Sequence, residues 1–350
     1  MHADLSLDNS VLIRHYSSRR TTVFLVLGVL VLILGILNLM IGSISYPYAD
    51  VVRALFSPFA DGEINTIIWK IRLPRVLAAI MGGAYLAASG LLLQVYFRNP
   101  IVGPFILGIS SGAILMVSLV MLTALGLRLT YITPFLTTIA GIVGAYAVMV
   151  VVVSIAAKVK SGATLLIVGL MMGYICSSVT AILTALAEKE KIKGFVLWEL
   201  GSFSGFKWVE IWIMMGVGGL LVLAIFLLSK PLNAFLLGED YAASMGVNIR
   251  RFRLFILLAA SSLAGLVTAM AGPVAFIGLA VPHMARLSFG TSDNRILVPG
   301  ACLMGAIITS LCDLIARMWL SPVELPISAI TAFFGAPIVI GLLLKRGVKL

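Results

Sequence analysis

The run TTVFLVLGVLVLILGILNLMI, Thr21–Ile41, holds no ionisable side chain from end to end. About 20 predominantly apolar residues suffice for a helix to cross the hydrocarbon of a bilayer, so this stretch decides the fold class. Arg14, His15, Arg19 and Arg20 stand just before it. A secretory leader has a shorter apolar core and a small-residue cleavage site. Thr21–Ile41 is therefore expected to be an uncleaved first span with its basic end inside. The rest of the chain extends this reading. Of 350 residues, 61% are hydrophobic and 11% charged, with a mean hydropathy of +1.13. A soluble domain carries about 25% charged residues, so an ordinary soluble enzyme, a disordered chain and a disulfide scaffold are all excluded.

Further apolar runs follow at about 71–97, 105–125, 132–157, 164–187, 208–229, 254–271, 274–281, 296–315 and 327–344. They predict an all-α integral membrane protein of about ten transmembrane helices. Residues 1–20 are expected to form a cytoplasmic N-terminal segment, and 21–350 a single transmembrane domain. In the loop from Gly42 to Trp69 a short helix is expected near Ala49–Leu55. The third run is expected to be broken by Gly108 and Gly112, and the eighth by Pro282-His283. Gly103-Pro104 and Gly272-Pro273 each precede a short apolar piece ending in glycine, Gly108 and Gly278. Short, Gly/Pro-interrupted segments at corresponding places mark inverted repeats in transporters. Irregular backbone at membrane depth must be buried in protein or line a wet cavity. Both breaks are thus candidate pathway walls, or else kinks filled by neighbouring helices.

Lys and Arg total 25 against 14 Asp and Glu, a net charge of +11. With ten spans, 15 of the basic residues fall on the side of the termini and ten on the other, where eight acids dilute them. Lys and Arg gather in cytoplasmic loops, which predicts that both termini are cytoplasmic. No basic stretch is interleaved with stacking aromatics, so nucleic acid is not an expected partner. Cys176, Cys302 and Cys312 lie in apolar runs and read as small hydrophobes.

Ionisable residues are scarce inside the spans. Asp313 and Arg317, four apart on one helix face, are expected to pair. His283 follows Pro282 and reads as a packed or interfacial side chain. An ion-coupled secondary carrier usually needs intramembrane carboxylates, and a single neutralised Asp313 is a poor supply. No Gly-Lys dipeptide occurs, so there is no phosphate loop. No His/Cys/Glu set has metal-ligand spacing, and no nucleophile has a spaced base, so neither a metal site nor catalytic residues are expected. Uphill transport through this chain would draw its energy from another subunit. Gly169–Gly173 and Gly108–Gly112 have the spacing that lets helix backbones approach. The connection 230–253 carries GEDYAASMG, Gly238–Gly246, a short amphipathic helix with a glycine stop. It reads as an interfacial helix anchored by Arg250, Arg251 and Arg253, or as a docking helix for a cytoplasmic partner.

Several motifs in order carry a family resemblance. They are IRLPRVL (71–77), SGLLLQ (89–94), RNP (98–100), LGISSGA (107–113), LGE (237–239), AGP (271–273), FIGLAVPH (276–283), ELP (324–326) and GAP (335–337). The chain resembles the FecCD-type permeases of ATP-binding-cassette importers for iron–siderophore complexes, haem and cobalamin. The likeness covers about 71–344, whereas residues 1–60 match only as one span plus a loop.

The resemblance implies a ten-helix subunit working as a dimer, with a second copy or a related chain. It also implies a cytoplasmic ATPase dimer holding ATP and magnesium, an extracytoplasmic substrate-binding protein, and no cofactor in this chain. Arg72, Arg75 and Arg317 match arginines that grip acidic residues of the binding protein. Arg suits this because its planar fork binds carboxylates bidentately; on the residues alone Arg72 and Arg75 read as interfacial anchors of the second span, and the resemblance favours docking. Gly238, Glu239, Ala243 and Gly246 match the coupling helix that sits in a groove of the ATPase. Ser161, Gly162, Ala163 and Thr164 match the cytoplasmic gate, with fewer hydroxyls than the family often has. The expected mechanism is alternating access, moving a ferric siderophore, haem or cobalamin. An ion-coupled carrier acting without an ATPase is the competing reading, and a membrane enzyme a third.

Overall fold

A computed structural model gives the fold, describing residues 2–346 apart from 43, 59–60, 124–133 and 157–161. The regular structure among the described residues is all helical, with no strand. In chain order the helices are α1 (His2–Met40), α2 (Tyr48–Leu55), α3 (Glu63–Tyr96), α4 (Ile109–Thr123), α5 (Pro134–Ala156), α6 (Gly162–Leu186) and α7 (Lys189–Glu199). They continue with α8 (Trp208–Leu227), α9 (Ser229–Leu237), α10 (Glu239–Ser244), α11 (Ile249–Ala271), α12 (Ile277–Phe289), α13 (Asn294–Met318) and α14 (Ile327–Arg346). Seven of them are long and apolar enough to cross a membrane; α4 and α14 are shorter apolar helices. With α12 they make ten among the described residues, in the places the hydropathy predicts.

The centre of the bundle is α3, α11 and α13. Most of α3 and α11 is buried, whereas α1, α6 and α8 expose most of their surface. Small residues put α3 at the centre, because they let neighbouring backbones come close. A Cβ added to Gly83 would lie 2.2 Å from the carbonyl oxygen of Gly305 on α13. One added to Gly90 would lie 1.7 Å from the carbonyl oxygen of Gly278 on α12. That oxygen has no helical donor, since the residue four places on is Pro282, which lacks an N–H. The bare Cα of Gly90 fits against it.

The structure corrects three expectations. Helix α12 runs straight through Pro282 and His283, and the interruption lies earlier, between Ala271 and Ile277. Helix α4 runs through Gly112, which packs against Gly144 of α5, so only Gly108 belongs to a break. The polar stretch after α6 contains a helix, α7, that hydropathy does not reveal. Two expected short helices are present, α2 and α10.

The wide turns have a visible cause. Helix α8 is π-helical over Met214–Gly219. There the Tyr85 hydroxyl of α3 donates to the Met214 carbonyl at 3.0 Å, and its ring presses on Gly218. A side chain inserted into the helical ladder produces such a bulge.

Candidate functional site

Helix α3 sets two ends for the molecule. At its N-terminal end stand Arg72 and Arg75; at its C-terminal end Tyr96 stacks on Phe235 of α9, ring centres 6.2 Å apart, beside α10. Helix α11 runs the other way, bringing Ala271 to the Arg72 end.

At that end the three arginines expected to dock a partner are 5%, 7% and 5% exposed. Arg72 donates from Nη1 to the carbonyls of Leu39 (2.7 Å) and Met40 (3.0 Å) and from Nη2 to that of Ile44, with Tyr46 under its plane at 5.7 Å. The first two are carbonyls that the end of α1 leaves without helical partners, and Ile44 lies in the loop beyond it. Gly42 makes room, since a Cβ there would strike the guanidinium at 2.7 Å. Arg75 forks onto Asp313, with Nε at 3.2 and 3.1 Å from the two oxygens and Nη2 at 3.0 Å from one. Its Nη1 donates to Glu324 at 2.6 Å. Asp313 thus pairs with Arg75 across two helices, in place of Arg317 on its own. Arg317 turns to α1, donating from Nη2 to the Asn38 carbonyl at 2.8 Å and to its Oδ1 at 2.7 Å. Asn38 closes the link by donating to the carbonyls of Leu34 and Ser310. All three arginines therefore knit α1, α3, α13 and the Glu324 loop together.

At the opposite end α10 starts after Gly238 and stops at Gly246, which has φ +83°. Glu239 is held by the Arg253 guanidinium, whose Nε lies 3.1 Å from Oε1. Ala242 is buried, while Ala243 and the larger Leu237, Tyr241 and Met245 are exposed. Leu237 ends α9 before the Gly238 break, Tyr241 lies in α10, and Met245 stands just past its end. Of the expected gate, Ser161 lies outside the described residues. Gly162 and Ala163 begin α6, and Thr164 beside them is exposed.

Between the ends, the two Gly-Pro breaks meet. Gly108 (φ +71°) and Gly272 (φ +73°) take backbone angles that residues with a Cβ rarely adopt. A Cβ on Gly278 would lie 2.8 Å from the Pro104 ring, and Gly103 faces Leu279. Both segments line one cavity of about 450 Å³, with Phe105, Phe276 and the α6 face of Gly169, Gly173 and Tyr174. Both broken segments therefore line an open cavity and are not kinks filled by neighbouring helices.

A second cleft, of about 410 Å³, shares Ser111 and Ser177 with the first. It continues toward the Arg72 end and is lined there by Thr180, Thr184 and Glu199. Sequence reasoning passed over these residues. The four-residue spacing from Gly169 was visible, but which face of α6 stays open was not.

The FecCD transport family model matches residues 30–345. The chain belongs to the FecCD transport family. The vitamin B12 import system permease proteins BtuC of Salmonella typhi and Salmonella newport are both 36% identical over 286 residues, 82% of this chain and 85% of theirs. A solved ABC transporter of metal-chelate type, in an inward-facing conformation, is 29% identical with a TM-score of 0.78. That match covers 93% of this chain and 99% of the other. PsaBC from Streptococcus pneumoniae, in complex with a Fab, shares the fold at a TM-score of 0.56 and 16% identity, over 83% of this chain and 94% of that one. This FecCD chain is a transmembrane permease subunit of an ABC importer, and a permease subunit of this family is not itself catalytic.

Proposed function

We propose that this permease carries a metal chelate (a ferric siderophore, haem or cobalamin) from an extracytoplasmic binding protein into the cytoplasm. The observation that carries the reading is the meeting of the two broken segments at one cavity beside α6. ATP and magnesium act on a separate cytoplasmic ATPase dimer, since this chain has no phosphate loop. The α10 end faces that ATPase, and the exposed Leu237, Tyr241 and Met245 sit in its groove with Gly238, Glu239, Ala243 and Gly246. Both termini are then cytoplasmic, a reading the charge asymmetry supports, and the membrane is a bacterial inner membrane. A second permease subunit completes the pathway, with Ser161–Thr164 as the inner gate.

The Arg72 end receives the binding protein. Because Arg72, Arg75 and Arg317 are bonded within the chain, docking exchanges an internal acceptor for an external carboxylate; Glu324 is the open member, 42% exposed. ATP binding then draws the coupling helices together and moves the opening from one face to the other. An ion-coupled carrier is poorly served here, because Arg75 already occupies Asp313.

The test is uptake into proteoliposomes holding the permease with its co-purified ATPase and binding protein. Accumulation of a labelled ferric chelate or cobalamin only with internal ATP supports the reading. Accumulation driven by a proton or sodium gradient without ATPase overturns it.

A further inference from the structure

The cleft between α4 and α6 differs in character from the apolar cavity it continues. One face of α6 presents Gly169, Gly173, Ser177, Thr180, Ala181, Thr184 and Ala185 along about 24 Å of helix. Ser111 and Ile114 of α4 face it, and Glu199 at the end of α7 stands at the outer mouth.

Two polar groups here lack partners. Thr180 is 6% exposed, lines the cleft, and its hydroxyl oxygen has no hydrogen-bond partner. Glu199 is open to the cleft and forms none of the ion pairs among the described residues; Lys191 of the same helix is taken by Glu188 at 3.3 Å. Partial burial pushes the Glu199 carboxyl above the usual range. A half-desolvated carboxylate without a counter-charge gains from a cation, and unpaired hydroxyls gain from any donor or acceptor.

We propose that this cleft is a specificity subsite of the permease, in which Glu199 selects chelates bearing a cationic group while Thr180 and the neighbouring hydroxyls bond their polar rim. The proposal rests on the importer reading and adds to it a class of cargo. The chelate enters at the Arg72 end with its cation against Glu199. It then moves along the hydroxyl face toward the cavity between the breaks, where Phe105, Tyr174 and Phe276 take its apolar surface. Anionic chelates are repelled at the mouth, so the same carboxylate discriminates by charge.

The experiment uses the permease–ATPase complex in nanodiscs and two probes. One is a ferric trihydroxamate with a free terminal ammonium; the other is its N-acetylated, uncharged counterpart. Trp198 adjoins Glu199 and donates to the Ala269 carbonyl at 3.1 Å, so a coloured ferric chelate in the cleft quenches it. The Trp198→Phe complex supplies the background. In the wild type the ammonium probe is expected to reach half-quenching at about a tenfold lower concentration than the acetylated one. Glu199→Gln should equalise the two, and Glu199→Asp should keep most of the preference. Equal half-quenching in the wild type, a preference that survives Glu199→Gln, or no quenching by either probe overturns the proposal. The importer reading is tested separately by ATP-driven uptake, so a missing charge preference with intact uptake sinks only this subsite.

Discussion

Arg75 and Asp313 show what a buried charge costs and gains in this protein. Their fork is buried, and each would be stranded without the other. Removing one member of a buried pair costs about 3–5 kcal/mol, because the remaining charge stays unsolvated. Asp313→Asn and Arg75→Gln should each lower denaturation resistance in detergent on that scale. The double variant should cost less than the sum, which a double-mutant cycle in thermal unfolding would register. Glu324→Gln touches the same guanidinium from an exposed position and should cost below about 1 kcal/mol. At the start of α13, Asp293 is partly buried, which alone would raise its carboxyl. The N–H of Arg295 and the amide of Asn233 outweigh that and hold it below the ordinary value. Its stabilisation is therefore complete above the ordinary carboxylate range and is lost as pH falls through the depressed value. Amide exchange in the first turn of α13 should accelerate over that acidic window. Asp293→Asn should abolish the acceleration.

Helix by helix, the apolar runs predict positions well because each span must satisfy its backbone internally. Interruptions were harder to place. Pro282 sits within a helix, since its missing N–H only frees a carbonyl that Gly90 accommodates; the true break needs Gly272 and the turn that follows. Gly90→Ala should accordingly be damaging, with a Cβ at 1.7 Å from a backbone oxygen and a cost of about 1–3 kcal/mol or more, read as loss of folded protein in detergent. For α10, the residues and boundaries were legible, but which apolar side chains around it stay exposed emerged only from packing. Tyr241→Glu with Met245→Glu should reduce ATPase co-purification by about tenfold while leaving the melting temperature of the permease unchanged, because both side chains face solvent.

Across the whole molecule, the two ends of α3 carry different chemistry: bonded arginines and Glu199 at one, the exposed apolar side chains around α10 at the other. A single reporter cysteine at Ala243 should react with impermeant maleimide only in inverted vesicles, and one at Ser204 only in intact cells. The opposite pattern would reverse the proposed orientation. The three arginines also shape the docking test. Arg72→Gln should weaken stimulation of ATP hydrolysis by the binding protein more than it lowers basal hydrolysis. It should also loosen the end of α1, seen as faster amide exchange near Met40.

Hydrophobicity is a local property, so the sequence alone was enough for the helical membrane fold, most of the spans, the short helices α2 and α10, and the family. Partner choice among charges is not local. Asp313 and Arg317 are four residues apart on one helix, yet the fork of Arg75, 238 positions away, captures the carboxylate because two helices cross there. The same holds for the cleft. Ser111, Thr180 and Glu199 come from three helices, and only their tertiary arrangement leaves that face of α6 uncovered and puts an unpaired carboxylate at its mouth.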